Sequence, residues 1–235
     1  EQKTNQLIKI IYEISRFEKN DDDDFLNIHE PFFKNTNAWK YLKECIDTGW
    51  VSSKGKFIDK FEEKISEFTK SKYTIAVTNG TVGIRLALAL VGVRTSNEVI
   101  IPPLTFIATA NAISHLGGIP HFVDIESKTL GLCPEKLYKR LKEIVVYKNG
   151  KAHNKISGRR IGAIMPVHIF GNPAQVDKIK LISDEFKIPV VEDAAEALGS
   201  FKKGKNTYKH CGLFGDIGVL SFNGNKIITT GGGGA

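Results

Sequence analysis

The sequence has few cysteines and no long hydrophobic run, and each shortage excludes a class of protein. Cys45, Cys133 and Cys211 stand far apart with no C-x-x-C pair, so we expect neither a disulfide framework nor a zinc site. No apolar segment approaches the roughly 18 residues of a membrane-spanning helix. The first 14 residues form an amphipathic pattern without the small-residue cleavage site of a signal peptide. We therefore expect a cytoplasmic protein with reduced thiols and no membrane partner.

Positive charge is in modest excess over the 235 residues, with 33 Lys and Arg against 26 Asp and Glu, a formal net charge of +7. Such an excess can indicate binding to nucleic acid. The lysines between residues 136 and 155 are not interleaved with a repeating pattern of aromatic residues, so we interpret them as a solvated face and expect no nucleic-acid partner. The run Asp21–Asp24 lacks the alternating ligands and central glycine of a calcium loop, which favours a solvated turn over a metal site.

The pattern of hydrophobic residues divides the chain into an N-terminal helical segment and arm, residues 1–56, and a large domain, residues 57–235. In the large domain, short apolar runs predict strands at 73–77, 99–101, 121–124, 161–165, 189–192 and 218–222. Helical spacing lies before and between them, at 57–68, 80–90, 106–116, 134–145 and 173–186. This alternation predicts an α/β fold with a mostly parallel sheet. The polar stretch 146–160 is predicted to be a surface loop, and residues 199–206 a hairpin turn.

Three short motifs follow predicted strands, where open α/β sheets bind their ligands. Gly80 and Thr81 begin a helix whose N-terminus favours phosphate, although a purely structural cap is the commoner role. Asp193 ends a strand and could bind a metal, act as a base, pair with a cationic heterocycle or simply cap a helix. Ser221 and Lys226 can reach one small ligand from two sides. A partly desolvated lysine there is a nucleophile, whereas most lysines are only exposed.

Taken in order, these motifs resemble the pyridoxal-phosphate (PLP) sugar aminotransferases of the DegT/StrS type. The matching segments are NGT (79–81), PPLTFIATANAI (102–113), VHIFGNPA (167–174), VEDAAEALG (191–199), GDIGVLSFNGNK (215–226) and TTGGGG (229–234). The resemblance implies the large domain of a fold type I PLP-dependent transferase, a mostly parallel mixed sheet flanked by helices. It also implies that the chain is a fragment that lacks the C-terminal small domain and part of the substrate pocket.

The resemblance further implies a role for individual residues around PLP. Lys226 would be the Schiff-base lysine, and Asp193 would pair with the pyridinium nitrogen and keep it protonated. Phe106 would stack on the ring, and Glu196, where the family often has Gln or His, would contact it near its hydroxyl. The phosphate would be held by Gly80, Thr81 and Ser221. His168 lies near the site by motif, and no role follows for it.

The implied activity is transamination of a nucleotide-linked 4-keto-6-deoxy sugar by a homodimer, with glutamate as donor and 2-oxoglutarate as product. The amino sugar would serve surface glycan or nonulosonate biosynthesis, and HEPFF (29–33) with residues 49–65 favours the legionaminic acid branch. Three alternatives stay open. A sugar dehydratase of the same family would have histidine instead of Lys226, and a non-catalytic regulatory or interaction protein should lack Lys226 or Asp193. A dinucleotide-binding protein should contain G-x-G-x-x-G, which this sequence lacks.

Overall fold

The computed structural model describes residues 2–15, 31–204 and 207–235, and the chain forms two compact units, residues 1–30 and 31–235. The first unit contains helix α1 (Gln2–Ser15). The Asp21–Asp24 run lies outside the described residues. The domain boundary that the sequence pattern indicates after residue 56 stays a prediction. Among the described helices, none combines the length and the apolar character needed to cross a membrane.

The second unit alternates helices and strands. Its helices are α2 (Ala38–Thr48), α3 (Lys56–Thr69), α4 (Gly80–Leu90), α5 (Ile107–Ser114), α6 (Pro134–Ile144) and α7 (Val176–Phe186). Its strands are β1 (Glu98–Ile101), β2 (Ile119–Phe122), β3 (Val145–Lys148), β4 (Lys151–Asn154), β5 (Ile161–Ile164), β6 (Val191–Asp193), β7 (Phe201–Lys203), β8 (Tyr208–His210) and β9 (Ile217–Val219). The predicted helices of the large domain are confirmed, and most predicted strands form within two or three residues of their expected bounds.

A parallel sheet forms the centre of this unit. Strands β2, β1 and β5 pair in that order, all parallel. Parallel bridges from Ile164 to Val190 and from Val167 to Asp193 lead on to β6, which pairs in parallel with β9. Because the strands run in the same direction, their carboxyl ends, including Asp193, lie at one edge of the sheet.

Helices cover both faces of the sheet, and strand alternation divides the core between them. Ile100 packs with α6 and α7 through Leu137 and Ile179. Its neighbours Val99 and Ile101 pack in a second cluster, with side chains of α4 and α5 such as Leu88 and Ile113. All three strand residues are fully buried, since successive side chains of a strand point to opposite faces and here both faces are covered.

The prediction of a surface loop at 146–160 is wrong, because β3 and β4 form an antiparallel hairpin within it. Asn149 and Gly150 connect the strands with φ of 50° and 72°. Positive φ at two central residues is the geometry of a tight hairpin turn, which Asn-Gly adopts readily. The second hairpin, β7–β8, agrees with the predicted turn at 199–206, of which residues 205 and 206 are not described.

The predicted strand 73–77 does not form a strand and contributes only an isolated bridge, from Val77 to Gly234. Gly234 also bridges to Ser221, so the glycine-rich segment lies between these two parts of the chain. A Cβ on Gly234 would lie 2.7 Å from the carbonyl carbon of Asn79, so only glycine fits. This close packing holds Asn79 and Ser221 near each other.

Candidate active site

All seven predicted site residues line one cavity of about 290 Å³ at the carboxyl edge of the sheet. They come from different elements: the start of α4, the start of α5, the end of β6 and the segment after β9. The residues are Gly80, Thr81, Phe106, Asp193, Glu196, Ser221 and Lys226. The parallel sheet explains the convergence, because each residue follows or faces the end of a strand.

One end of the cavity is formed by the N-terminus of α4 and by Ser221. Asn79 caps the helix, its Oδ1 accepting a hydrogen bond of 2.9 Å from the Val82 N–H. A Cβ on Gly80 would lie 3.0 Å from the Cβ of Ser221, so glycine allows the helix to approach this serine closely. Helix N-terminal N–H groups together with the hydroxyls of Thr81 and Ser221 are suited to bind an anion such as phosphate.

Asp193 is a buried carboxylate on the wall of the cavity, with 5% of its surface exposed. Its Oδ2 accepts a hydrogen bond of 2.6 Å from the Thr109 hydroxyl, and its Oδ1 accepts one of 3.2 Å from the Ala195 N–H. Burial raises the pKa of Asp193, and these two donors act in the opposite direction. A cationic group in the cavity would compensate the buried negative charge.

Lys226 points into the same cavity, with only 12% of its side chain exposed. Its Nζ donates to Glu196 Oε1 at 3.0 Å and lies 5.9 Å from the centre of the Phe106 ring. The Glu196 Oε2 accepts a bond of 3.1 Å from the Phe170 N–H. Phe170 has a φ of 52°, a left-handed conformation that is uncommon outside glycine. Lys226 is therefore an oriented, largely buried amine, unlike an ordinary surface lysine.

His168 also lines the cavity, but its imidazole is engaged behind the site. Its Nε2 lies 2.9 Å from Glu192 Oε2, and its Nδ1 accepts a hydrogen bond of 3.1 Å from the Ala174 N–H. The Glu192 carboxylate favours a proton on Nε2, while the Ala174 N–H leaves no place for a second proton on Nδ1. Glu192 also accepts the N–H groups of Gly212 and Gly215. The pair fastens together the chain segments that surround Asp193.

Sequence reasoning missed several residues of the cavity wall, among them Asn79 as a helix cap and Thr109 as the partner of Asp193. Asn79 has a sequence signal, because Asn before a helix is a common N-cap. Thr109 has none that points to Asp193, since 84 positions separate the two residues. Among the described residues, no group of three His, Cys, Asp or Glu side chains suited to a metal ion is present.

Comparison with known proteins gives concordant matches. The sequence profile of the DegT/DnrJ/EryC1/StrS aminotransferase family matches residues 34–235. GDP-perosamine synthase of Vibrio cholerae is 37% identical over 207 residues, 88% of this chain and 51% of that protein. GDP-perosamine synthase of Escherichia coli O157:H7 is 40% identical over 210 residues, 89% of this chain and 52% of that protein. The structure of DesI in the presence of its TDP-sugar product matches with a TM-score of 0.75 and 28% identity, covering 91% of this chain and 49% of that chain.

The matches confirm the expected fold class, an α/β fold with a parallel sheet flanked by helices, as in fold type I PLP-dependent transferases. The chain spans about half the length of the relatives it matches. A C-terminal small domain beyond these residues stays a prediction. The expected likeness to the legionaminic acid branch is not supported, because the relatives with 37% and 40% identity are GDP-perosamine synthases.

Proposed function

Because this chain belongs to the DegT/DnrJ/EryC1/StrS aminotransferase family, a PLP-dependent family, we propose that the protein transfers an amino group to a nucleotide-linked 4-keto-6-deoxy sugar. Glutamate is the proposed donor, and 2-oxoglutarate its product. The names of the relatives make a GDP-linked sugar the first acceptor to test, and the TDP-sugar product of DesI makes a TDP-linked sugar the second. The observation that carries the proposal is that Lys226 and Asp193 line one cavity with the N-terminus of α4, which is suited to bind an anion.

The groups that line the cavity fit PLP. Its phosphate would be held by Thr81, Ser221 and the N-terminus of α4, at the place where a Cβ on Gly80 would crowd Ser221. Its protonated ring nitrogen matches the buried Asp193 carboxylate, and its aldehyde matches the amine of Lys226. The exposed face of Phe106 is available for stacking on the ring.

Bound PLP would supply an electron sink for the α-carbon of the amino donor. Asp193 would hold the proton on the ring nitrogen, because its buried carboxylate requires a positive partner. The Nζ of Lys226 would act as the base that takes the α-proton of the donor and as the acid that returns a proton. Glu196 Oε1, 3.0 Å from this Nζ, would keep the amine oriented in the cavity.

The alternative functions lack such support. A family dehydratase has histidine at the position of Lys226, and a non-catalytic relative would not need both Lys226 and Asp193 in one cavity. The glycine pattern of a dinucleotide-binding protein is missing from the sequence.

Reductive trapping tests the cofactor and the role of Lys226. We expect borohydride treatment of the complete natural protein with PLP to leave one reduced cofactor on the peptide that contains Lys226, as measured by mass spectrometry. Lys226→Ala should lose this adduct entirely. Lys180→Ala is the matched control, because Lys180 pairs with Asp184 on the exposed side of α7, and it should keep the adduct. An adduct on a different lysine, or none on the wild type, contradicts the proposal.

A product assay tests the acceptor. The protein with PLP and glutamate should convert a GDP- or TDP-linked 4-keto-6-deoxy sugar into the corresponding amino sugar, detected by mass spectrometry together with 2-oxoglutarate. If the cofactor is trapped but neither sugar is aminated, the proposal of a PLP-dependent transaminase stands and the proposed class of acceptor sugar is rejected. Light scattering of the same sample tests the homodimer that the family resemblance implies.

A further inference from the structure

Thr109 occupies a position that packing alone does not explain. It lies in the first turn of α5, is fully buried, and is followed one turn later by Ala112 and Ile113 in the apolar core. Its hydroxyl does not bond a backbone carbonyl of its own helix, which is the usual choice of a threonine inside a helix. Instead it reaches across to β6 and contacts Asp193 Oδ2 at 2.6 Å.

The direction of this hydrogen bond follows from counting protons. A hydroxyl has one proton, and an ionised carboxylate can only accept. The Thr109 hydroxyl therefore donates to Asp193. The hydroxyl of Thr105, 2.7 Å from that of Thr109, must then donate to Thr109. The two threonines form a short chain of donors that ends on the carboxylate.

The chain of two threonine hydroxyls donates to one oxygen of the carboxylate, and a backbone N–H donates to the other. The Ala195 N–H donates to Oδ1, so each oxygen of Asp193 has its own donor. Two donors on opposite sides fix the orientation of the carboxylate plane and favour its charged form, whereas burial favours the neutral form. Removal of the Thr109 hydroxyl would leave a buried charge with one donor fewer.

We propose that Thr109, supported by Thr105, is a positioning residue that keeps Asp193 ionised and in one orientation, and thereby makes the cavity select ligands with a protonated ring nitrogen. The inference rests on the proposed PLP function, which it deepens. Phe106 begins the same helical turn, so α5 carries both the stacking candidate and the support of the acid.

The experiment measures selectivity for the ring nitrogen rather than activity. Equilibrium binding to the complete natural protein is compared for PLP and for its deaza analogue, in which carbon replaces the ring nitrogen. Wild type should prefer PLP. Asp193→Asn should lose the preference, and it gives the reference value for a cavity without the carboxylate charge. Thr109→Val, which keeps the shape and removes the hydroxyl, should reduce the preference about tenfold or more, the scale of a hydrogen bond to a charged group. Thr109→Ser should restore it.

A purely structural role would weaken binding of both ligands equally and leave their ratio unchanged. A wild-type ratio in Thr109→Val, with the ratio lost in Asp193→Asn, therefore overturns the inference and leaves the proposed function intact. If wild type binds no PLP, the proposed function fails as well. Thr105→Val gives a second measurement if Thr109→Val does not fold. It should reduce the ratio by a smaller factor, and an unchanged ratio there also contradicts the inference.

Discussion

Asp193 shows at the scale of one residue how a binding group can lower stability. The carboxyl is buried, and burial raises its pKa above the ordinary 3.8. The native state then holds its proton more tightly than the unfolded chain does. The free energy of unfolding must therefore fall as pH rises from about 3.8 through the raised pKa.

Asp193→Asn should remove this loss. In the protein without cofactor, we expect the free energy of unfolding of the variant to depend less on pH between about 4 and 8, and to exceed that of wild type at the upper end. The Thr109 hydroxyl can rotate to accept from the new amide, so the contact survives. Urea unfolding at a series of pH values measures the difference. If the free energy of unfolding depends on pH in the same way in both proteins, Asp193 is not the group responsible for the pH dependence.

The same scale shows what a sequence reveals about a site. The placement of Asp193 and Lys226 in one cavity could be predicted, because each lies at or after the end of an apolar strand. The contact of Thr109 with Asp193 could not, because it depends on how α5 packs beside β6. The orientation of Lys226 by Glu196 depends likewise on a contact across 30 positions.

At the scale of elements, the predictions failed for segments whose structure depends on pairing with another strand. The hairpin of β3 and β4 was not predicted, because the stretch is polar and polar stretches are typical of loops, although Asn149-Gly150 is a strong turn signal. The apolar run 73–77 has strand composition, but the described structure gives it only an isolated bridge, to Gly234. Helices were predicted more accurately, because their hydrogen bonds are local and their apolar spacing is visible in the sequence.

Glu98 connects several of these elements at the amino end of β1. It is buried, and its carboxylate accepts hydrogen bonds of 2.9 Å from His121 in β2 and from Asn154 in β4, and a further one from Ser157. Burial acts to raise its pKa, but the donors outweigh burial and the pKa of Glu98 is lowered. A lowered pKa means that the charged form stabilises the fold above the ordinary value of 4.5, and that this stabilisation is lost as pH falls through the folded-state value.

Glu98→Gln should therefore reduce the free energy of unfolding at pH 7 by roughly 1–3 kcal/mol, because the amide cannot accept from all three donors. The difference from wild type should shrink as pH falls below about 4.5. Glu67→Gln is the control, since Glu67 pairs with Lys64 at the surface and should change stability little. Denaturant titrations of the three proteins give the result. A difference that stays constant down to pH 3 would contradict the assignment to the carboxylate.

For the molecule as a whole, the size of the cavity bears on which of the two proposed ligands, PLP or the nucleotide-linked sugar, the described residues can enclose. The cavity of about 290 Å³ lies at the lower end of the roughly 300–1,000 Å³ typical of ligand pockets. A nucleotide-linked sugar is considerably larger than PLP, and Phe106 in the lining is 70% exposed. Under the proposed function, the described residues provide contacts for the cofactor, and we expect other parts of the protein or a second subunit to complete the walls for the sugar nucleotide.

We accordingly expect the 235-residue chain alone to bind PLP but to transaminate poorly. The complete natural protein should do both, because the relatives are about twice as long as the part that this chain matches. Parallel titrations with PLP and single-turnover assays with glutamate and a GDP-linked keto sugar compare the two proteins. The expected result is a similar affinity for PLP and a rate at least about tenfold lower for the shorter chain, since loss of substrate positioning costs at least this much. Equal rates would show that the sugar nucleotide binds entirely within the 235-residue chain.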